Sequence, residues 1–333
     1  MSTATLQTRT LAGPDGLGRE RWNELVLVAG TPSPYMTWEL QTAWAETCDE
    51  GTLHYVAAER GGEVVAVAPL HARGGWAELA GTCFEFDRLD FVGDVSDADV
   101  LTALLEAGRN GIEDFSWFDF EFIPDDSPTT ALLPVAAERL GLRCAEQYEM
   151  VAAEIDLAGG RADALAAANR PRVLKDERWL MRHGRLEVHH FRETAEILPQ
   201  LPELFAQHER RWQESGSRFR EPHARRLYER LTEHAAGSDL LRFTRMDLDG
   251  RPVGFHYGLA LAGRYFFGVF SFEPELAQRS PGRVLLRHVV LAALDEGAVA
   301  FDFGTGRQDF KLRYATAVTR CRTWALEPPE WEA

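Results

Sequence analysis

One short segment combines the residue types that bind anions. Residues 279–283 read RSPGR and precede an apolar stretch that predicts a helix ending at Gly297. Ser280 is a favoured N-cap residue, and Pro281 suits the first helical position because its φ is already fixed and it has no N–H to lose. Gly282 lacks a Cβ, so a ligand could approach the backbone there. Free N–H groups and flanking arginines favour phosphate binding, and a capped helix without a ligand is the alternative.

Two side chains could accept a proton from an attacking nucleophile. His256 lies in a strand-like run, residues 251–262, and neutral imidazole is a competent base near pH 7. Asp302 stands between Phe301 and Phe303, so strand alternation turns it to the opposite face from both. If the phenylalanines are buried, Asp302 is expected to line a cleft. A packed strand histidine and a solvent-facing carboxylate are the alternative interpretations.

His208 and Trp212 are candidates for binding a substrate. They are four residues apart in a predicted helix, residues 197–214, and therefore share one helical face. That face could equally belong to the core.

Metal chemistry is not indicated. Five aspartates surround Gly93, but they lack the alternating ligands and glycine spacing of a calcium loop, so we interpret them as a turn region that could face a cationic acceptor. The cysteines form no CxxC pair, so we expect no zinc and reduced thiols. These cysteines are Cys48, Cys83, Cys144 and Cys321.

The elements that must position these residues form two similar halves. A Gly-Gly turn joins strand-like runs at 53–58 and 64–70. The turns Asp249-Gly250 and Ala262-Gly263 join three strand-like runs at 240–247, 251–262 and 264–272. Each half then has a helix followed by a Phe-Asp-Phe strand, at 118–120 and 301–303. We therefore predict two copies of one α/β unit, with bounds of 1–157 and 158–333.

Charge separates the two halves. The chain of 333 residues carries a net charge of −16, and residues 1–150 hold 9 Lys and Arg against 26 Asp and Glu. The remainder holds 27 against 26, so an anionic ligand would be drawn to the second half. No apolar run approaches the ~18 residues of a membrane span, and the N-terminal residues do not read as a signal peptide. We expect a cytoplasmic protein without membrane contact.

Several motifs in matching order resemble one family. Residues 279–284, RSPGRV, resemble the Q/R-x-x-G-x-G/A loop with which GNAT acetyltransferases hold the pyrophosphate of acyl-CoA, with Val284 departing from the last position. Residues 301–314, FDFGTGRQDFKLRY, resemble the terminal motif of the Fem-related GNAT subfamily, which includes exopolysaccharide and cellulose-cluster acetyltransferases. Residues 249–254 and 263–267 fit its paired strands, and PYMTWE at 34–39 and LDFVG at 89–93 are similar to its N-terminal half.

The resemblance implies a fold and a set of roles. The fold would be α/β, with tandem GNAT-like, Fem-type halves, each a mixed, mainly antiparallel sheet flanked by helices. The second half would hold the donor and the catalytic residues, with an oxyanion donor on strand 253–258, whereas the first half would lack a donor loop.

Donor contacts would come from Arg279, Ser280, Gly282, Arg283 and Val284. Catalysis would involve Asp302, His256, Lys311 and Tyr314, of which Tyr314 could instead close the core. Acceptor contacts would come from His208, Trp212, Trp38 and Asp90.

Three functions remain open at this level. The first is transfer of an acyl group from acyl-CoA to an amine of a small molecule, sugar or peptide, without a metal. The second is aminoacyl transfer from charged tRNA, as in Fem-type enzymes, which the arginines between 170 and 185 would favour and the acidic first half would oppose. The third is a non-catalytic binding module, which only Val284 favours. The resemblance permits a monomer.

Overall fold

The computed structural model describes residues 5–82 and 86–329, so Cys83 lies outside the described residues. Residues 1–151 and 319–333 form one compact unit, and residues 152–318 form the second. Cys48, Cys144 and Cys321 are free thiols. Within the part of the chain that the structure describes, no helix is long and apolar enough to cross a membrane.

The first unit is built on a seven-stranded path in the order β1-β2-β3-β4-β6-β13-β7, with β5 added beside β3. Gly61 and Gly62 both have positive φ (63° and 86°), as the tight turn between β2 and β3 requires. Strand β4 pairs in parallel with β6, whereas the pairs β1–β2, β2–β3, β3–β4, β3–β5 and β6–β13 are antiparallel. Its elements are β1 (Leu6–Leu11), α1 (Arg19–Val28), α2 (Trp38–Thr47), β2 (Thr52–Arg60), β3 (Glu63–Arg73), β4 (Trp76–Leu79), β5 (Val92–Gly93), α3 (Ala98–Gly111), β6 (Trp117–Pro124), α4 (Pro128–Arg139), β7 (Arg143–Asp156) and β13 (Ala317–Glu327).

The second unit has the strand order β7-β12-β11-β10-β9-β8. Two tight turns form its central meander, with positive φ at Asp249 and Gly250 and again at Ala262 and Gly263, which confirms both predicted hairpins. Its elements are α5 (Arg161–Ala168), α6 (Pro171–His183), β8 (Leu186–Phe191), α7 (Thr194–Ile197), α8 (Leu201–Arg211), α9 (Pro222–His234), β9 (Leu241–Leu248), β10 (Arg251–Leu261), β11 (Arg264–Phe272), α10 (Pro281–Asp295), β12 (Ala300–Thr305) and α11 (Asp309–Tyr314).

The core of the second unit lies between its sheet and α10. Phe301 and Phe303 of β12 are buried against Val284, Leu285 and Val289 of α10. The expected mixed, mainly antiparallel sheet flanked by helices is therefore confirmed.

The unit boundary differs from the predicted bounds of 1–157 and 158–333. The division falls at 151/152, within β7, and residues from 319 onward return to the first unit. The reason is that β13 pairs with β6, for example Leu326 with Phe118, which a boundary placed by local sequence pattern could not reveal.

Each unit repeats one arrangement of helix and strand. A helix, α3 or α10, leads into a Phe-Asp-Phe strand that pairs in parallel with the strand before that helix. Ala77 pairs with Phe118 in the first unit, and Tyr265 pairs with Phe301 in the second. These registers make Asp119 and Asp302 equivalent positions.

Candidate active site

The sheet of the second unit opens beside its central helix. Strands β11 and β12 pair only from Arg264 with Ala300 to Phe266 with Asp302. Beyond that point β11 continues to Phe272 and β12 to Thr305 without further pairing to each other. The two strands therefore splay apart where α10 begins.

One edge of β11 faces this opening. Glu273 donates its backbone N–H to the carbonyl of Val253 at 3.0 Å, so in the segment 269–273, beyond the register shift, the odd-numbered peptide groups point towards β10. The even-numbered groups point the other way, and Arg211 Nη1 accordingly donates to the carbonyl of Phe270 at 3.0 Å. By the same alternation, the amides of Phe270 and Phe272 face the opening.

The sheet does not open at strand 253–258, where the oxyanion donor is predicted. Strand β10 pairs with β9 on one side and with β11 on the other, so its N–H groups are engaged in the sheet. The pairing of β10 has register shifts between Pro252 and Gly254 and between Tyr257 and Leu259. The strand that opens is β11.

The predicted cap of α10 is also different. Ser280 has left-handed backbone geometry (φ 49°, ψ 50°), and its side chain accepts no hydrogen bond from the first turn. Instead, Arg283 Nη2 donates to Ser280 Oγ. Because the serine oxygen does not cap the helix, it leaves N–H groups of the first turn available to a ligand.

Gly282 has a packing role that the sequence did not reveal. A Cβ at this position would lie 2.9 Å from Phe270 Cε1 and 2.9 Å from Phe272 Cδ1. The glycine thus lets the start of α10 approach the β11 phenylalanines. Val284, at 0% exposure, points into the core, which explains an apolar residue where the resembling loop has Gly or Ala.

Two arginines flank the start of α10. The Arg279 guanidinium lies 4.5 Å from the centre of the Trp179 ring, and no described residue forms an ion pair with it. Trp179 in turn stacks on His183, with 3.8 Å between the ring centroids. Arg283 Nη2 lies 3.6 Å from Asp176 Oδ2. The helix N-terminus and these cations create a positive region beside the opening.

Arg211 is a third cation here that the sequence analysis did not single out. Its guanidinium lies 3.9 Å from the Phe272 ring and 4.8 Å from the Trp212 ring. Burial lowers the pKa of this guanidinium to about 10. The only sequence signal was its position next to Trp212, on the predicted acceptor-side helix.

Asp302 is fully enclosed. It lies opposite Phe301 and Phe303 as predicted, but its 0% exposure makes the expected position along a cleft wrong. Asp302 Oδ1 accepts the backbone N–H of Gly304 at 2.8 Å, and Oδ2 lies 3.9 Å from Arg264 Nη2. Arg264 also pairs with Glu154, whose register partner is Asp302. The single positive charge of this arginine is therefore shared between two neighbouring carboxylates.

His256 is enclosed by aromatic rings. Its exposure is 0%, and its ring centroid lies 6.1 Å from that of Tyr265 and 5.2 Å from that of Phe267. Neither ring nitrogen has a hydrogen-bond partner. Burial, with a smaller effect of His190, lowers the pKa of His256 to about 3. A neutral, enclosed imidazole fits the packed-histidine interpretation better than that of a general base.

We predict that His256→Phe removes part of the acid sensitivity of the fold. Below pH 6.5 His256 takes up a proton in the unfolded chain, whereas in the folded chain it does so only at about pH 3. Wild type therefore keeps its full free energy of unfolding above pH 6.5 and loses part of it as the pH falls. The free energy of unfolding of the variant, measured relative to wild type, should be about 2 kcal/mol higher at pH 4.5 than at pH 7.5. Urea unfolding at both pH values measures this, and a pH-independent difference would contradict it.

Lys311 and Tyr314 lie on α11. Lys311 Nζ donates to the carbonyl of Thr305 at 2.7 Å, at the end of β12. Tyr314 is 3% exposed, packs near Phe303, and has Arg170 5.2 Å from its ring centre. Its hydroxyl makes no hydrogen bond, and burial raises the pKa of the phenol. These contacts support the core role for Tyr314.

The four proposed acceptor residues are divided between the units. His208 and Trp212 share a face, with 6.1 Å between their ring centroids. His208 is 6% exposed and its Nδ1 lies 2.8 Å from Ser217 Oγ, and burial followed by Arg211 lowers the pKa of this histidine to about 4. Trp212, at 37% exposure, is the more accessible of the pair.

Trp38 and Asp90 belong to the first unit. Trp38 Nε1 donates to Asp15 Oδ1 at 3.0 Å. Asp90, at 3% exposure, accepts hydrogen bonds from the hydroxyls of Thr31, Ser127 and Thr129 and from the N–H of Phe91. Its carboxylate is engaged inside the unit, which does not favour the acceptor contact; that role of Asp90 stays a prediction.

The first unit offers a poor site for a phosphate at the equivalent helix. Asp97 caps α3 by accepting the N–H of Asp99 at 2.8 Å, and it pairs with Arg60. A carboxylate at this N-terminus repels an anion, which supports the prediction that this half lacks a donor site.

Within residues 5–82 and 86–329, no group of three or more His, Cys, Asp or Glu side chains could hold a metal ion.

Comparison with known proteins agrees with this geometry. Residues 167–312 match a family model described as acetyltransferase (GNAT) domain. No curated protein gives a significant match.

Several solved structures share the fold. A crystal structure of FemX has a TM-score of 0.67 at 14% identity, over 95% of this chain and 96% of that chain. L-PGS from Bacillus licheniformis gives 0.59 at 12%, over 97% and 94%. A tandem GNAT protein from the clavulanic acid biosynthesis pathway gives 0.55 at 14%, over 98% and 100%. Residues 167–312 therefore resemble an acetyltransferase (GNAT) domain, and the chain shares the fold of these solved structures.

Proposed function

We propose that the second unit transfers an acyl group from acyl-CoA to an amine of a small molecule, sugar or peptide. The observation that carries the proposal is the opening between β11 and β12 beside the N-terminus of α10, with Arg279 and Arg283 next to it. The donor phosphates would contact the helix N-terminus and these arginines. The thioester would then extend along the open edge of β11.

The backbone of β11 supplies the main chemical assistance in this proposal. The amine nitrogen attacks the thioester carbonyl carbon, and an N–H of β11 that faces the opening stabilises the negative oxygen that forms. The C–S bond then breaks, and the CoA sulfur takes a proton as it leaves. Because His256 and Asp302 are enclosed, we propose that the acceptor binds as the free amine and that its proton leaves to solvent after attack.

Aminoacyl transfer from charged tRNA is the second candidate, and one observation favours it. Helix α6 carries Arg172, Lys175, Arg178 and Arg182 as exposed side chains, a basic surface suited to a phosphate backbone. The structural similarity to FemX and L-PGS, at 14% and 12% identity, shows the fold alone. The strongly acidic first unit disfavours nucleic acid, so we rank this candidate below acyl-CoA.

The non-catalytic alternative loses its one supporting feature. Val284 replaces the Gly or Ala of the resembling loop, but its side chain packs in the core. The substitution therefore does not signal a lost donor site.

Calorimetric titration with CoA and acetyl-CoA tests the proposal. We expect saturable binding of acetyl-CoA in the micromolar range, as is common for enzyme substrates, with one site per chain. No binding by intact protein would contradict acyl-CoA as the donor. Retention of the protein by aminoacyl-tRNA but not by uncharged tRNA, in the absence of CoA binding, would favour the second candidate.

A further inference from the structure

A cleft of about 300 Å³ lies on the sheet of the first unit. Strand β6 contributes Trp117 and Asp119, β7 contributes Tyr148, and β13 contributes Thr323 and Glu327. Its size suits a ligand of roughly ten non-hydrogen atoms, at the lower limit of small-molecule pockets.

Asp119 has no counter-ion in this cleft. The residue is partly buried, and no described residue forms a hydrogen bond or ion pair with its carboxylate. The neighbouring charges that act on it are those of Glu121 and Glu78, both negative. Burial and these two carboxylates raise the pKa of Asp119 to about 6.

The cations near this cleft already have carboxylate partners. Arg73 pairs with Glu78 at 2.8 Å, and Arg143 pairs with Glu327. Glu121 Oε1 accepts a hydrogen bond from the Tyr148 hydroxyl at 3.1 Å. Asp119 thus stands as an uncompensated carboxylate, which is unfavourable unless a cation arrives from outside.

The internal repeat shows what is missing. In the second unit the equivalent aspartate, Asp302, has Arg264 beside it. The position equivalent to Arg264 in the first unit is occupied by Trp76, which stacks on Trp117 with 5.9 Å between ring centroids. An arginine has therefore been replaced by an aromatic ring next to a carboxylate, and aromatic faces with a carboxylate are the groups that recognise an organic cation.

A buried hydroxyl points to the same ligand. Thr323 is 2% exposed and lines the cleft, and its Oγ1 makes no hydrogen bond. The Thr323 hydroxyl is close enough to Tyr148 to offset part of the rise that burial causes in the pKa of the phenol, but the two hydroxyls do not meet hydrogen-bond geometry. An N–H donor in the cleft would satisfy this oxygen.

We infer that this cleft binds a small organic ammonium ion, with Asp119 as its counter-ion, the rings of Trp117 and Tyr148 against its apolar part, and Thr323 Oγ1 accepting an N–H bond. The inference goes beyond the proposed acyl transfer, because the site lies wholly in the first unit and does not depend on which donor the second unit uses.

Ligand-observed NMR with benzylammonium and its neutral analogue benzyl alcohol tests the inference at pH 7.5. We expect benzylammonium to bind at least about tenfold more tightly than the alcohol, which corresponds to one well-placed charge interaction. Asp119→Asn, which keeps the shape of the side chain, should abolish that preference. Thr323→Val should weaken benzylammonium binding without changing that of the alcohol.

Glu106→Gln is the matched control, because this exposed glutamate on α3 lies outside the cleft and should leave the preference unchanged. Thermal melting confirms that each variant is folded. Absence of benzylammonium binding, equal affinity for the two probes, or a preference that survives in Asp119→Asn would each overturn the inference. Weaker binding below about pH 6, where Asp119 takes up a proton, would support it.

Discussion

Reversing the charge of Arg279 and Arg283 together is expected to weaken acetyl-CoA binding about 100-fold. Each arginine lies beside the N-terminus of α10, and a charge-assisted hydrogen bond to phosphate contributes roughly 1.5–3 kcal/mol. Loss of two such contacts, about 3 kcal/mol or more, corresponds to two orders of magnitude in Kd. Calorimetry on the Arg279→Glu, Arg283→Glu double variant measures this directly.

Arg230→Glu is the matched control for that experiment. Arg230 is an exposed arginine of the same unit that pairs with Glu233 one turn along α9. Its reversal changes the net charge of the unit in the same direction but should alter the affinity less than about threefold, because separated surface charges are largely screened. Unchanged affinity in the double variant would remove the α10 N-terminus from the donor site.

Replacing Arg264 by methionine is expected to destabilise the second unit by about 3 kcal/mol. The arginine neutralises Asp302, at 0% exposure, and pairs with Glu154, whose side chain is 12% exposed. Removing one partner of a buried ion pair typically costs about 3–5 kcal/mol, and the 30% exposure of the Arg264 side chain favours the lower end. Urea unfolding at pH 7.5 provides the measurement.

Two further variants define what that loss means. In Asp302→Asn the amide oxygen can still accept the N–H of Gly304, so we expect a loss of only about 1 kcal/mol. The double variant Arg264→Met, Asp302→Asn should recover part of the stability lost in Arg264→Met. Wild-type stability in Arg264→Met would show that the cluster is dispensable.

The same variants address the catalytic role first proposed for Asp302. That role stays a prediction, because burial alone does not measure turnover. A fall of about 100-fold in kcat for Asp302→Asn, without a matching loss of stability, would confirm that role, since removing a catalytic proton acceptor has effects of that size.

The donor region illustrates what a sequence can and cannot reveal. Pro281 at the first position of α10 and the tight turns at Asp249-Gly250 and Ala262-Gly263 follow from local backbone chemistry, and each was predictable. The left-handed Ser280 and the contact of Gly282 with Phe270 were not, because they depend on how α10 packs against β11.

The surroundings of Asp90 and His256 could not be predicted for a related reason. The partners of Asp90 come from Thr31, Ser127 and Thr129, which are far away along the chain. His256 is enclosed by rings of β11, which only the register of the sheet brings together. Residue type suggested chemistry in both cases, whereas tertiary packing determined the environment.

In the first unit, net charge predicted the binding preference better than any individual residue did. Its acidic composition predicted a surface that disfavours anions, and Asp97 at the N-terminus of α3 agrees with that. The uncompensated Asp119 emerged only when the two units were compared strand by strand. The acceptor, the cytoplasmic location and the oligomeric state stay predictions.

Hydrogen exchange of the intact chain with and without acetyl-CoA tests the central claim most directly. The account predicts slower exchange at 268–272 of β11 and at 281–287 of α10, with no change at the equivalent helix start, 98–104, of the first unit. The first unit thus serves as an internal control within one sample. Protection at 98–104, or saturating acetyl-CoA without protection at 281–287, would contradict the assignment of the donor site to the second unit.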